Sequence, residues 1–464
     1  MIIFDLLSSD LKIGTAYANF SFHRANPSLL GKNTSSGRPG LGRPLFFKAG
    51  KIPCLHSLGH LNPFILNDAG KFSIMKLSKG QHLAYCTNVH RGNNWEETFF
   101  SLEQYVLQVR KKICPDTPYA IGLRLGADAA RELSNPEELN RFREWLDLQN
   151  AYIFTINGFP YGNFHGQRVK EEVYLPDWTD PKRLTYTLSL FQILSALLPA
   201  GMEGSVSTLP ASFKEFHPAD RLPDSAYKNL LTCAEEIERL SVENDLDLHL
   251  GMEPEPLGWF ETTPETLGFL KELFDRAKDP DLVRRRIGVN YDCCHLAIER
   301  EDAREGLDAI KQAGVRLSKL HLSSALQVIP TPQNLKKLTT FVEPVYLHQV
   351  ITSQKGRVLE RIKDLDRALQ CSNEGSLIAG ADEWRVHFHV PLHASPGNGL
   401  GDTRQHVLDT LDWLQENPDT CRHLEMETYT WEVLPAELRS SEVVDQVAKE
   451  YEWTLNELNK RGLK

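Results

Sequence analysis

The chain has 464 residues, a formal net charge of −10, 41% apolar and 25% charged residues. That length allows about two to four domains or one large barrel with insertions, and the composition is that of an ordinary globular protein. The acidic balance argues against a surface built for a phosphate backbone, so no nucleic-acid partner is expected. There is no membrane-length run of roughly 18 apolar residues. The eight cysteines show no CxxC pairing, and Cys293 and Cys294 are adjacent. They point to a reducing, cytoplasmic setting rather than to a disulfide framework.

Residues 1–74 come first and differ from the rest. They hold eight Lys/Arg against three Asp and no Glu, so the acidic excess lies wholly downstream. Periodicity is poor, the run at 31–44 is rich in turn residues, and no Met occurs between Met1 and Met75. Three readings fit this N-terminal extension: a start codon called too early, a basic transit-like leader, or a poorly ordered arm. The main body is then 75–464.

From residue 80 short apolar, β-branched runs alternate with helical patterns. The runs at 82–88, 119–125, 151–157, 204–209, 246–253, 286–292, 315–321 and 422–428 read as strands. A further strand-like piece spans Trp384 to Val390. Asn94 with Glu97, Asn135 before Pro136 and Thr263 before Pro264 are helix-start signals. Residues 441–460 form an amphipathic pattern with Val444, Val447, Tyr451 and Leu455 on one face. Eight strands joined by helices predict an α/β fold, a (β/α)8 TIM barrel with right-handed crossovers. A doubly wound open sheet is the alternative, weakened by the lack of a Gly-rich loop after an early strand. The stretch 325–384 is too long for one connection and reads as an insertion between strands seven and eight, with a helix near 355–370.

In such a barrel the site lies at the C-terminal strand ends. Strand alternation puts Gly251, Glu253 and Glu255 on one face, Asn290 with Asp292, Lys319 with His321, and His423 with Glu425 and Glu427. Glu253, Asp292, His321 and Glu427 therefore end four strands in turn. Three carboxylates and one imidazole suit a divalent ion such as Mn, Mg, Fe(II) or Zn, with open positions for substrate oxygens. Glu425 lies one pleat deeper and reads as a decoy. The Cys293–Cys294 pair reads as wall or core.

These residues also carry a resemblance. Asp292-Cys-Cys-His295, Glu427-Thr-Tyr and Arg385-Val-His-Phe-His-Val-Pro-Leu392 resemble motifs of the xylose isomerase-like TIM barrels. That superfamily includes sugar-phosphate isomerases and epimerases and the endonuclease IV type of nuclease. More closely, residues 78–435 resemble the metabolite-traffic EboE group, through stretches such as Leu83-Ala-Tyr-Cys-Thr-Asn-Val-His90, Asn157-Gly-Phe-Pro-Tyr-Gly, Met252-Glu-Pro-Glu-Pro256 and Glu425-Met-Glu-Thr-Tyr-Thr-Trp431. The resemblance implies that Glu253, Asp292, His321 and Glu427 hold the metal and that Glu253 and Glu427 pass a substrate proton. It implies that His295 binds a substrate hydroxyl and that Asn157, His165 and His389 line the pocket; Lys319 is added as a further substrate-binding candidate. The implied activity is isomerisation or epimerisation of a small polyhydroxylated or phosphorylated metabolite. The alternative is non-catalytic handover of a metabolite to a membrane partner of an export pathway. A nuclease is the distant third: Asn157 and the pair His387-x-His389 depart from the nuclease pattern. The sequence does not choose an oligomeric state.

Overall fold

Short buried runs form the strands, and long polar-faced segments the helices between them. The structure is a computed structural model and describes residues 75–217, 221–373, 380–397 and 399–464. Each reading of 1–74 concerns residues outside those described. The first seven strands are β1 (His82–Tyr85), β2 (Tyr119–Arg124), β3 (Ala151–Asn157), β4 (Glu203–Thr208), β5 (Asp247–Met252), β6 (Ile287–Asp292) and β7 (Leu317–Leu322). Then come β8 (Ala325–Val328), β9 (Val350–Gln354), β10 (Arg357–Ile362), β11 (Glu383–His389) and β12 (Leu400–Asp402), and last β13 (His423–Met426).

Eight of these run parallel in the order β1-β13-β7-β6-β5-β4-β3-β2. A bridge between Cys86 and Gly122 brings the ends of the sheet together. The fold is a TIM barrel, as the alternation of elements predicts. Its strands are buried on both faces, which is why they read as apolar runs. Helix starts follow local chemistry. Asn94 accepts from the Glu97 amide, while the Glu97 carboxylate reaches back to the Asn93 amide. Asn135 caps Pro136–Leu148. In Thr263–Arg276 the cap is Thr262, one residue before the one predicted, and Glu265 completes a full capping box. Val444, Val447, Tyr451 and Leu455 of Val443–Lys460 are all buried, as the pattern predicts. No helix among the described residues is long and apolar enough to cross a membrane.

The insertion differs in form from the expectation. It builds an antiparallel sheet in the order β10-β9-β11-β8-β12, so it continues to Asp402. The segment expected as a helix near 355–370 is split between β10 and the helix Leu365–Asn373. β10 reads Arg-Val-Leu-Glu-Arg-Ile with alternating exposure at the sheet edge, a charged pattern that resembles a solvated helix face. The sheet has its own core, centred on Leu326, Val350, Trp384, Val386 and Phe388. Ion pairs fasten it to the barrel: Arg361 to Glu299 at 2.5 Å and Glu383 to Arg300 at 2.5 Å.

The lower barrel is polar inside. His82 shares a hydrogen bond with Tyr152 and His423 with Ser205, each at 2.8 Å, and the His249 ring stacks on His423. Burial pushes His82 down to about 4, and does the same to His406, which bonds Tyr291 on the barrel flank. These rings stay neutral in the fold but take a proton in the unfolded chain below about pH 6.5. Their contribution is complete above that pH and lost as pH falls towards 4. Each ring is expected to remove about 3 kcal/mol of stability across that window. Urea unfolding between pH 7.5 and 4.5 measures it, and His82→Gln should flatten the slope. A midpoint independent of pH would refute the assignment.

Candidate metal centre and its pocket

Four strand ends deliver one donor each to a common point. Glu253 and Glu427 directly follow β5 and β13, Asp292 closes β6, and His321 stands near the end of β7. The His321 Nδ1 atom lies 3.1 Å from Glu253 Oε1, 3.3 Å from Asp292 Oδ2 and 3.2 Å from Glu427 Oε2. One ring nitrogen cannot donate to three carboxylates at once.

The other atom of each group is already engaged. Glu253 Oε2 accepts from Asn290 at 2.7 Å. Asp292 Oδ1 accepts from the Cys294 and His295 amides and from the Ser323 hydroxyl at 2.7, 3.1 and 2.6 Å. Glu427 Oε1 accepts from Asn88 at 2.7 Å and Asn157 at 3.1 Å. His321 Nε2 faces Glu425 Oε2 at 2.9 Å. Each group thus turns its other atom to a common point, where His321 Nδ1 lies 3.1 Å from Glu253 Oε1 and 3.3 Å from Asn290 Nδ2. Asp292 Oδ2 is buried with no hydrogen-bond partner.

A divalent ion fits this arrangement. Bonds of about 2.1 Å put neighbouring ligand atoms about 3.0 Å apart in an octahedron and about 3.4 Å apart in a tetrahedron. The three distances from His321 Nδ1 lie between those values, and all four atoms lie within 4.8 Å of one another. Burial disfavours a charged His321, but Glu427, Glu253 and Asp292 hold its proton affinity well above the ordinary imidazole range. Burial likewise opposes the Asp292 charge, and His295, His321 and His389 outweigh it, keeping that carboxyl well below its usual range. Beside this group, His295, His387 and His389 meet at their Nε2 atoms, with His387 3.1 Å from His295 and 3.3 Å from His389. They form further potential donor sets with Asp292, Glu255 and Cys294.

The support beneath the site was not legible in the sequence. Glu425 pairs in register with His321 across β13 and β7, so it holds the imidazole from behind. Burial opposes its charge, but Lys319 at 2.6 Å and His321 hold the carboxyl down at about 2. Gly122 on β2 makes room for it: a Cβ there would lie 2.0 Å from Glu425 Oε1 and 2.6 Å from Tyr85 O. Gly122→Ala is expected to destabilise the chain by about 3 kcal/mol through overpacking and to disturb His321. Thermal unfolding with and without divalent ion checks both effects, and a variant equal to wild type in both would refute the constraint.

Glu253, Asp292, His321, Glu427, Asn157 and His295 come together here. His389 stands beside them, with Nδ1 2.8 Å from Glu427 O. Lys319 lies beneath the site, fully buried between Glu425 and Ser207. His165 stands behind the wall: Nε2 faces Asn88 O and Nδ1 faces the Tyr346 hydroxyl, each at 2.6 Å. Asn88 and Asn290 also emerge as groups that aim the glutamates. Glu255, which shares a face with Glu253, lines the cavity, and burial pushes its carboxyl up to about 7.

No family model matches the chain, and no match was found among curated proteins. Among solved structures it is similar to a xylose isomerase domain protein from Planctomyces limnophilus, 14% identical over 76% of this chain and 92% of that one, with a TM-score of 0.42. It is similar to a D-psicose 3-epimerase with D-tagatose from Clostridium cellulolyticum H10, at 10% identity over 82% and 97% with a TM-score of 0.41. An IolI protein with a bound zinc atom shows 10% identity over 82% and 98%, also at 0.41.

Proposed function

We propose that the protein is a metal-dependent isomerase or epimerase of the xylose isomerase-like kind, acting on a small polyhydroxylated metabolite in an EboE-type traffic pathway. The observation that supports this reading is the meeting of three carboxylate oxygens on one imidazole nitrogen at the strand ends. A divalent ion held by Glu253, Asp292, His321 and Glu427 would supply a Lewis acid for adjacent substrate oxygens.

The chain's own groups do the remaining work. Asn290 fixes Glu253, while Asn88 and Asn157 fix Glu427, so both glutamates line the cavity in set orientations. Either can remove or return a proton alpha to a carbonyl. His295, aimed by Pro254 O on Nδ1 at 2.9 Å, meets His387 Nε2 with its own Nε2 at the cavity lining, and a substrate hydroxyl can bond it by replacing that contact. The test is solvent exchange: the metal-loaded chain should place deuterium at the alpha carbon of at least one α-hydroxy carbonyl compound. No exchange in a broad panel with metal bound would overturn the catalytic reading.

The same cavity also suits holding a metabolite for a membrane partner. Deleting the gene separates the two readings. An unaltered precursor on the wrong side of a membrane supports handover, and a chemically distinct precursor supports catalysis.

A further inference from the structure

The cavity that Glu253 and Glu427 line also has an apolar side. Its walls are Phe159, Phe164, Val169, Tyr346, Leu347 and Tyr429. Phe164, Val169, Tyr346 and Tyr429 pack together as a separate apolar cluster. Tyr346 engages its hydroxyl with His165, so it offers the cavity its ring.

Full positive charge is nearly absent. Lys170 is the one Lys or Arg among the lining residues, and its ammonium lies 2.6 Å from Asp364 and 3.1 Å from Glu343 O. Glu253, Glu255 and Glu427 line the same space. Beyond the metal position, whose ion would offset Glu253 and Glu427, a phosphate would meet Glu255, the His295 and His387 rings and one engaged ammonium, without the forked donors that bind phosphate well. The cavity measures about 60 Å³, room for roughly four or five waters. The cavity is partly open to solvent, so a ring against its wall is not confined to that volume.

We infer that the ligand is uncharged and two-part: an oxygenated head that reaches the metal, and a small aromatic or branched apolar body against the Phe164–Tyr346–Tyr429 wall. It is not a sugar phosphate. The assignment of the head rests on the proposed metal site; that of the body rests on the wall.

Three probes share one α-hydroxy ketone head. They are α-hydroxyacetophenone, dihydroxyacetone and dihydroxyacetone phosphate. Calorimetry on the full chain, with its Mn(II) content measured first, should show the phenyl probe binding at least about tenfold tighter than either other. Phe164→Ala and the milder Tyr429→Leu should each weaken the phenyl probe several-fold, leaving dihydroxyacetone and metal content unchanged. Lys170→Met should leave the phenyl probe unaffected. If the phosphate binds tightest and Lys170→Met abolishes that preference, the inference is overturned. Equal binding of all three, or no binding with metal loaded, also overturns it. If the chain takes up no metal, the site reading fails separately. The body is then tested by acetophenone against acetone, where a phenyl advantage sustains the wall assignment and none overturns it.

Discussion

Asp292→Asn is expected to lower divalent-ion affinity by at least about 100-fold while leaving the barrel folded. The reason lies in the division of labour between its two oxygens. Oδ1 caps the helix Cys293–Ile298 and accepts from Ser323, and an amide oxygen can do the same. Oδ2 has no hydrogen-bond partner and faces His321. In the variant that position becomes an amide NH2, whose nitrogen lone pair is delocalised and does not ligate a cation, and which aims its own hydrogens at the site. Metal titration at fixed pH, beside a thermal melt of the metal-free chain, measures both parts. Unchanged affinity would remove Asp292 from the site. Loss of folding would mean that its structural role outweighs ligation.

The second large effect belongs to Lys319→Met. Lys319 and Glu425 are both fully buried, 2.6 Å apart. Methionine is close in shape but leaves Glu425 without its cation. Removing one partner of a buried pair costs about 3–5 kcal/mol, so the urea midpoint of the metal-free chain should fall accordingly. Glu425 also holds His321 Nε2, so metal affinity should drop about 10–100-fold. Adding Glu425→Gln should restore much of the stability, because no unpaired charge remains. It should not restore metal affinity, since a carboxylate no longer backs the imidazole. A single variant within 1 kcal/mol of wild type, with normal metal binding, would refute the support assigned to this pair.

Much of the barrel was legible because each strand is a short apolar run ended by polar residues. Alternation alone put Glu253, Asp292, His321 and Glu427 on comparable faces. Depth along their shared face set Glu425 one pleat below Glu427, but did not show its task. That task depends on the register between β13 and β7, which joins residues 104 positions apart. Asn88 was hidden for the same reason: it reaches Glu427 only because β1 and β13 are neighbours. The cavity wall draws Phe164 and Tyr346 from distant loops, and no local pattern announces that meeting. β10 misled through its charges, since alternation at an exposed sheet edge and a solvated helix face look alike over six residues.

The central claim is that four strand ends form one divalent-cation site. Elemental mass spectrometry of the purified full chain, beside Glu427→Gln, tests it most directly. About one equivalent of a divalent metal in the wild type, lost in the variant, is the result expected from four converging donors. A wild-type chain that stays metal-free after loading with Mn, Zn, Fe(II) and Mg, or a variant that retains the full equivalent, would contradict it.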